Sequence, residues 1–159
     1  VEYSLTYDSG PFSAYGNLSF EHAMGKDIFT SQFNFDPGDL TYIQSNYIHL
    51  DHEQAATASG GVSYLYEGTR VSLDMLYGSG LREDGDVPNG DHLPDYEQVN
   101  FGLTHSFSLP TVGDFSVRFD IINLLDQKYE IRSGNGVGVG APSWGARRGF
   151  FAGITKEFG

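Results

Sequence analysis

The residues best equipped for chemistry sit in one short run, His49-Leu50-Asp51-His52-Glu53. In an extended backbone alternate side chains share a face, so His49, Asp51 and Glu53 would point one way and His52 the other. An imidazole and two carboxylates on one face could hold a divalent cation. The competing reading is a solvated acidic loop edge. A second acidic stretch, Asp84 to Asp91, carries Asp84, Asp86, Asn89 and Asp91 at spacings that superficially suit calcium. Pro88 occupies its fifth position, Asn89 stands where such loops need Gly, and Asp95 stands where they prefer Glu, so a turn-rich surface loop is expected. The glycine run Gly134 to Gly140 lacks the strand-to-helix context of a phosphate loop and is interrupted by Pro142 and Trp144, which leaves a flexible loop. Ser, His and Asp are all present, but no G-x-S-x-G elbow holds a nucleophile. No enzyme activity, catalytic residue or cofactor is expected.

Composition narrows the class. The chain has 159 residues, 9 basic and 21 acidic, for a formal net charge of −12. Nucleic acid needs a basic footprint, and an anionic membrane surface needs a polybasic patch; neither is present. With no cysteine, disulfide scaffolds, thiolate metal sites and cysteine nucleophiles are excluded. Mean hydropathy is −0.31, and no run approaches the roughly 18 apolar residues of a transmembrane helix. Yet 12 Phe, 10 Tyr and 21 Gly suit an all-β chain rich in turns, including one whose alternating strands hide their apolar face from averages. Val1 to Gly10 has no apolar run of the signal-peptide kind, so the chain is expected to be processed or part of something longer.

The elements that must position these residues follow from period-2 alternation. Val99, Phe101, Leu103, His105, Phe107 and Leu109 alternate with Gln98, Asn100, Gly102, Thr104, Ser106 and Ser108. The same pattern recurs along the chain and predicts seven strands, at about 1–8, 12–24, 54–67, 69–81, 95–108, 114–124 and 147–158. The connectors alternate strictly between short and long, which puts every tight turn at one end and every long loop at the other. Transmembrane barrels sort their loops this way. On the apolar face Tyr7, Tyr66, Phe107 and Phe158 would mark the tight-turn rim, and Tyr3, Tyr77 and Phe150 the loop rim, as two aromatic girdles. Ten of the 21 acidic residues fall at 25–53 and 82–95. Asp36 to Asn46 reads as a short helical turn, with an Asp cap and Pro37 first.

Two segments resemble a known family. Val117 to Ile131 (VRFDIINLLDQKYEI), a glycine-rich loop and Arg147 to Phe158 (RRGFFAGITKEF) resemble the carboxy-terminal end of TonB-dependent outer-membrane receptors. The motif Asn-Leu-x-Asp-x-x-Tyr reads here Asn123-Leu124-Leu125-Asp126-Gln127-Lys128-Tyr129. Leu93 to Phe107 (LPDYEQVNFGLTHSF) and Gly78 to Gly85 (GSGLREDG) are similar to the preceding strand and its loop entrance. Gly159 after Phe158 departs from the family's aromatic end.

The resemblance implies an antiparallel up-and-down meander of about seven strands within a larger barrel of about 22 strands, whose lumen is plugged. Implied partners are outer-membrane lipid and lipopolysaccharide, the plug and remaining strands, TonB through a segment outside this chain, and a small ligand such as a ferric siderophore. The expected location is the outer membrane of a Gram-negative bacterium. Ligand contacts would come from the long-loop residues Phe33, Phe35, Tyr42, Tyr47, Trp144, Arg147 and Arg148. For the two arginines, a salt bridge to Asp120 or Glu157 is an equal alternative. A small stand-alone barrel or pore and a soluble β-sandwich that binds carbohydrate are the rival readings. Under either membrane reading, Leu103→Arg should cost about 2–4 kcal/mol near the bilayer midplane and Thr104→Arg little.

Overall fold

The computed structural model describes residues 1–28, 36–138 and 140–157. Its elements, in chain order, are β1 (Glu2–Ser9), β2 (Phe12–Phe20), β3 (Met24–Gly25), α1 (Pro37–Ser45), β4 (Ile48–His49), β5 (Ala56–Tyr66), β6 (Thr69–Gly78), β7 (Arg82–Glu83), β8 (Asp91–His92), β9 (Tyr96–Leu109), β10 (Gly113–Ile122), β11 (Glu130–Ser133), β12 (Pro142–Trp144) and β13 (Gly149–Glu157). The chain is all-β apart from α1. Seven strands form one antiparallel sheet in the order β1-β2-β5-β6-β9-β10-β13, each paired with its neighbour in sequence. These are the seven strands that alternation predicts, within a few residues at each end. The short ribbons β3–β4, β7–β8 and β11–β12 each lie within one of the long loops.

Turn chemistry fixes the register. Tyr66 pairs with Thr69 across Glu67 and Gly68, both at positive φ, as a two-residue hairpin of type I′ requires. Ser9 pairs with Phe12 across Gly10-Pro11, and Leu109 with Gly113 across a three-residue turn. A one-residue slip would swap the faces of a strand. In this register one cross-strand row reads Ala14, Val62, Leu73, Phe101, Ile121 and Phe150. The parallel row on the other face reads Ser13, Ser63, Ser72, Gly102, Asp120 and Phe151. One face is mainly apolar and the other mainly polar, with Leu65, Leu76, Ile122 and Phe151 among the exceptions on the polar side and Lys156 on the apolar side.

Among the described residues, nothing covers the apolar face. Leu5 is 72% exposed, Ile154 70% and Phe119 37%. A β-sandwich would bury these side chains against a second sheet; the main sheet here stands alone, with β1 and β13 as open edges. Tyr7, Tyr66 and Phe107 lie towards the tight-turn end, where Tyr7 packs on Phe12 and Phe107 on Phe115 with ring centroids 6.1 and 5.7 Å apart. Tyr3, Tyr77 and Phe150 lie towards the loop end. Phe158 and Gly159 lie outside the described residues.

The buried apolar residues sit among the loops instead. Ile43 of α1, Ile48 of β4 and Val137 cluster, with Ile28 and Tyr42 packed against them. Asp36 caps α1 by accepting a hydrogen bond from the Gly38 backbone at 2.9 Å, and Pro37 opens the helix as its sequence implies.

Candidate functional site

The long loops gather at one end of the sheet into a collar, and a few buried polar side chains hold it together. Each answers the same need: loop backbone without ladder partners must find hydrogen bonds elsewhere.

Glu53 is the first of these. It precedes β5 and is 1% exposed. Its carboxylate accepts from Ala23 N at 2.7 Å, from Arg82 Nη2 at 2.5 Å and from His49 Nδ1 at 2.9 Å. Burial alone would push its pKa up, but the bonds from His49, Arg82 and Ala23 outweigh it and bring the value down from 4.5 to about 2. His22, which follows β2, approaches the same carboxylate at 3.9 Å. His22, His49 and Glu53 offer ligand atoms that all lie within 4.8 Å of one another, the one such trio among the described residues.

This arrangement revises the sequence expectation. His49 and Glu53 do meet, but Asp51 belongs elsewhere: it pairs with His52 and lies 3.3 Å from Arg132 Nη1. His22 takes its place. The spacing of 31 residues between His22 and Glu53 hides the partnership, which only the β2–β5 pairing creates.

Asn89 is the second anchor. It is buried at positive φ, and its amide donates to the carbonyls of His49 and Val137 at 2.9 and 3.1 Å. Its Oδ1 accepts from Val137 N at 2.8 Å. All three long loops thus meet at one side chain. Asp84 accepts from Asn89 N and Asp91 from His92 N, and Asn89 is buried, where the sequence implies a surface loop. The glycine run, expected to be flexible, is clamped here: a Cβ at Gly136 would come within 2.7 Å of Asn89 Oδ1.

Asn123 is the third, fully buried at positive φ directly after β10. It donates to the carbonyls of Gln127 and Ala146, both at 2.8 Å, and accepts from Gln127 N at 3.0 Å. Asp126 grips Arg147 through two bonds of 2.8 and 2.6 Å and accepts from Arg148 N at 3.1 Å. That Arg147 pairing, with Arg148 beside it, holds the Asp126 carboxyl well below the usual carboxylate range. The expected Asp120 partner is instead engaged by Arg118 at 2.7 Å. Tyr129 stacks on Tyr96, with centroids 4.4 Å apart and planes at 8°, and donates to Gln98 Oε1 at 2.9 Å. A Cβ at Gly145 would strike the Tyr129 ring at 2.0 Å. The Asn-Leu-x-Asp-x-x-Tyr segment is therefore a latch that returns the third long loop to β13, and its tyrosine meets the one that opens β9.

The ligand-contact candidates divide. Tyr47 and Trp144 stand open, at 66% and 61% exposed. Tyr42 packs against the collar core, Arg147 is committed to Asp126, and Arg148 lies 3.4 Å from the Leu124 carbonyl. Phe33 and Phe35 lie outside the described residues. Towards the loop end, a recess of about 530 Å³ is lined in part by Asn17, Gln54, Ser59, Leu76, Tyr96 and Tyr129. Among the described residues, no helix is long and apolar enough to cross a membrane, which says nothing of strands. Compared with family models, curated proteins and solved structures, the chain matches none.

Proposed function

We propose that this chain is the carboxy-terminal portion of the barrel of a TonB-dependent receptor, which takes up a ferric siderophore or a similarly scarce nutrient across the outer membrane of a Gram-negative bacterium. The carrying observation is a single sheet with one uncovered apolar face, one polar face and two open edges. In water such a face is an aggregation hazard, and in lipid an open edge leaves backbone groups unsatisfied. Both demands are met when further strands close the sheet, lipid meets the apolar side and a plug fills the polar side. The apolar face runs from Val99 to Phe107 in β9, about 26 Å along the strand at roughly 3.3 Å per residue. Those nine residues fall within the roughly 9–11 with which a tilted strand crosses a bilayer.

The polar face supplies hydrogen-bonding groups to a plug, while the collar and the recess beneath it meet the ligand. Transport needs binding and release, with no covalent step. Lipid and lipopolysaccharide surround the barrel, and TonB acts on it through the plug side.

Single-cysteine labelling tests this reading, because the chain contains no native cysteine. In outer membranes carrying the whole receptor, Leu103→Cys should react with a lipid-phase probe and Thr104→Cys with a small aqueous maleimide. Uptake of an iron chelate should stop when the proton-motive force is collapsed. Equal labelling of both sites sinks the barrel; uptake indifferent to the proton-motive force sinks the transporter.

A further inference from the structure

One group in the collar has no part in that transport reading. We propose that His22, His49 and Glu53 form a site for a single divalent cation of the zinc class, closing the neck of the first long loop. Two imidazole nitrogens and one carboxylate oxygen are a donor set that zinc accepts, with water completing a tetrahedron, whereas calcium and magnesium prefer oxygen alone. Bonds of about 2.0 Å in a tetrahedron place ligand atoms roughly 3.3 Å apart. Here His49 Nδ1 lies 2.9 Å from Glu53 Oε2, and His22 Nδ1 lies 3.9 Å from Oε1. The first pair must open slightly and the second close. His22 is free to do so, since its side chain is 70% exposed.

The hydrogen bond between His49 and Glu53 marks the place where the ion would sit, with the metal replacing the shared proton. Arg82 and Ala23 N already orient the carboxylate, as outer partners orient metal ligands elsewhere, and each oxygen retains a second lone pair. Arg82, 2.5 Å from Glu53 Oε1, is the cation that opposes the ion. Asp51 and His52 pair with each other and stay outside the site. Because His22 follows β2 and Glu53 precedes β5, an ion at this point ties the two ends of the loop together.

The experiment is a zinc titration of the full-chain protein in detergent, after chelator treatment, read by competition with a chromogenic zinc chelator. One zinc per chain is expected. Affinity should fall at least tenfold in His22→Ala and His49→Ala and stay unchanged in His52→Ala and Asp51→Asn, with calcium failing to compete. His22→Ala removes an exposed side chain, so circular dichroism of that variant should match the parent and separate lost binding from lost fold. Absence of stoichiometric zinc, an unaffected His22→Ala variant, or equal weakening by His52→Ala overturns the proposal.

Discussion

The sheet and the collar are built on opposite terms. The collar buries Ile43, Ile48, Leu93 and Val137 and satisfies Glu53, Asn89 and Asn123 from within. The sheet satisfies its backbone through the ladders, yet leaves its apolar side chains open, with Leu5 and Ile154 among the most exposed. An ordinary domain puts its core beneath its sheet and its loops in water. The inversion teaches that the collar can be packed by its own residues, whereas the sheet must take its apolar contacts from its surroundings.

The largest effect is expected from a charge placed on each face of one strand. Val71 lies between Tyr64 and Leu103 on the apolar face, and Ser72 between Ser63 and Gly102 on the polar face. Under the membrane reading, Val71→Arg should cost about 2–4 kcal/mol and Ser72→Arg less than about 1, in denaturant unfolding of the lipid-folded protein. Equal costs would dissolve the distinction between the faces. The structure also shows why Thr104→Arg is a poor control: Thr104 pairs with both Arg70 and Arg118, so a third guanidinium would meet two like charges.

A smaller loss is expected in the collar. Asn123→Ala strands the groups that Asn123 serves and puts a Cβ-bearing residue without a local hydrogen bond at positive φ, for about 1–3 kcal/mol in thermal or chemical melts. Asn123→Gly should recover the backbone part alone. A glycine variant as stable as the parent would mean that the side-chain bonds contribute nothing.

The last effect is a pH dependence to which the neck of the first long loop contributes. Glu53 titrates at about 2 when folded against an ordinary 4.5, so its contribution is complete above 4.5 and is lost as pH falls through 2. Melts between pH 5 and pH 2 should show this acid limb in the parent and a flatter one in Glu53→Gln. Identical limbs would remove Glu53 as an anchor.

Much of the sheet was legible because β structure writes itself in period two and tight turns declare themselves through Gly and Pro. Residues 98–109 alone specify which side chains share a face, and Asp36-Pro37 specifies where α1 begins. The collar was far less legible. His22 finds Glu53, and Asn89 finds Val137, only after the sheet has brought distant segments together, and no local periodicity encodes that meeting. A signal did exist at Asn89 and Asn123: asparagine tolerates the left-handed region, and Pro88-Asn89-Gly90 reads as a turn. What the turn would grasp was not written beside it.

Because a single amide at Asn89 spans all three outer excursions of the chain, they form one mechanical body. A molecule that lands on any of them pulls on the whole crown. In the receptor proposed above, a ligand touching one loop would therefore load the other two through that shared amide rather than through separate, slack tethers.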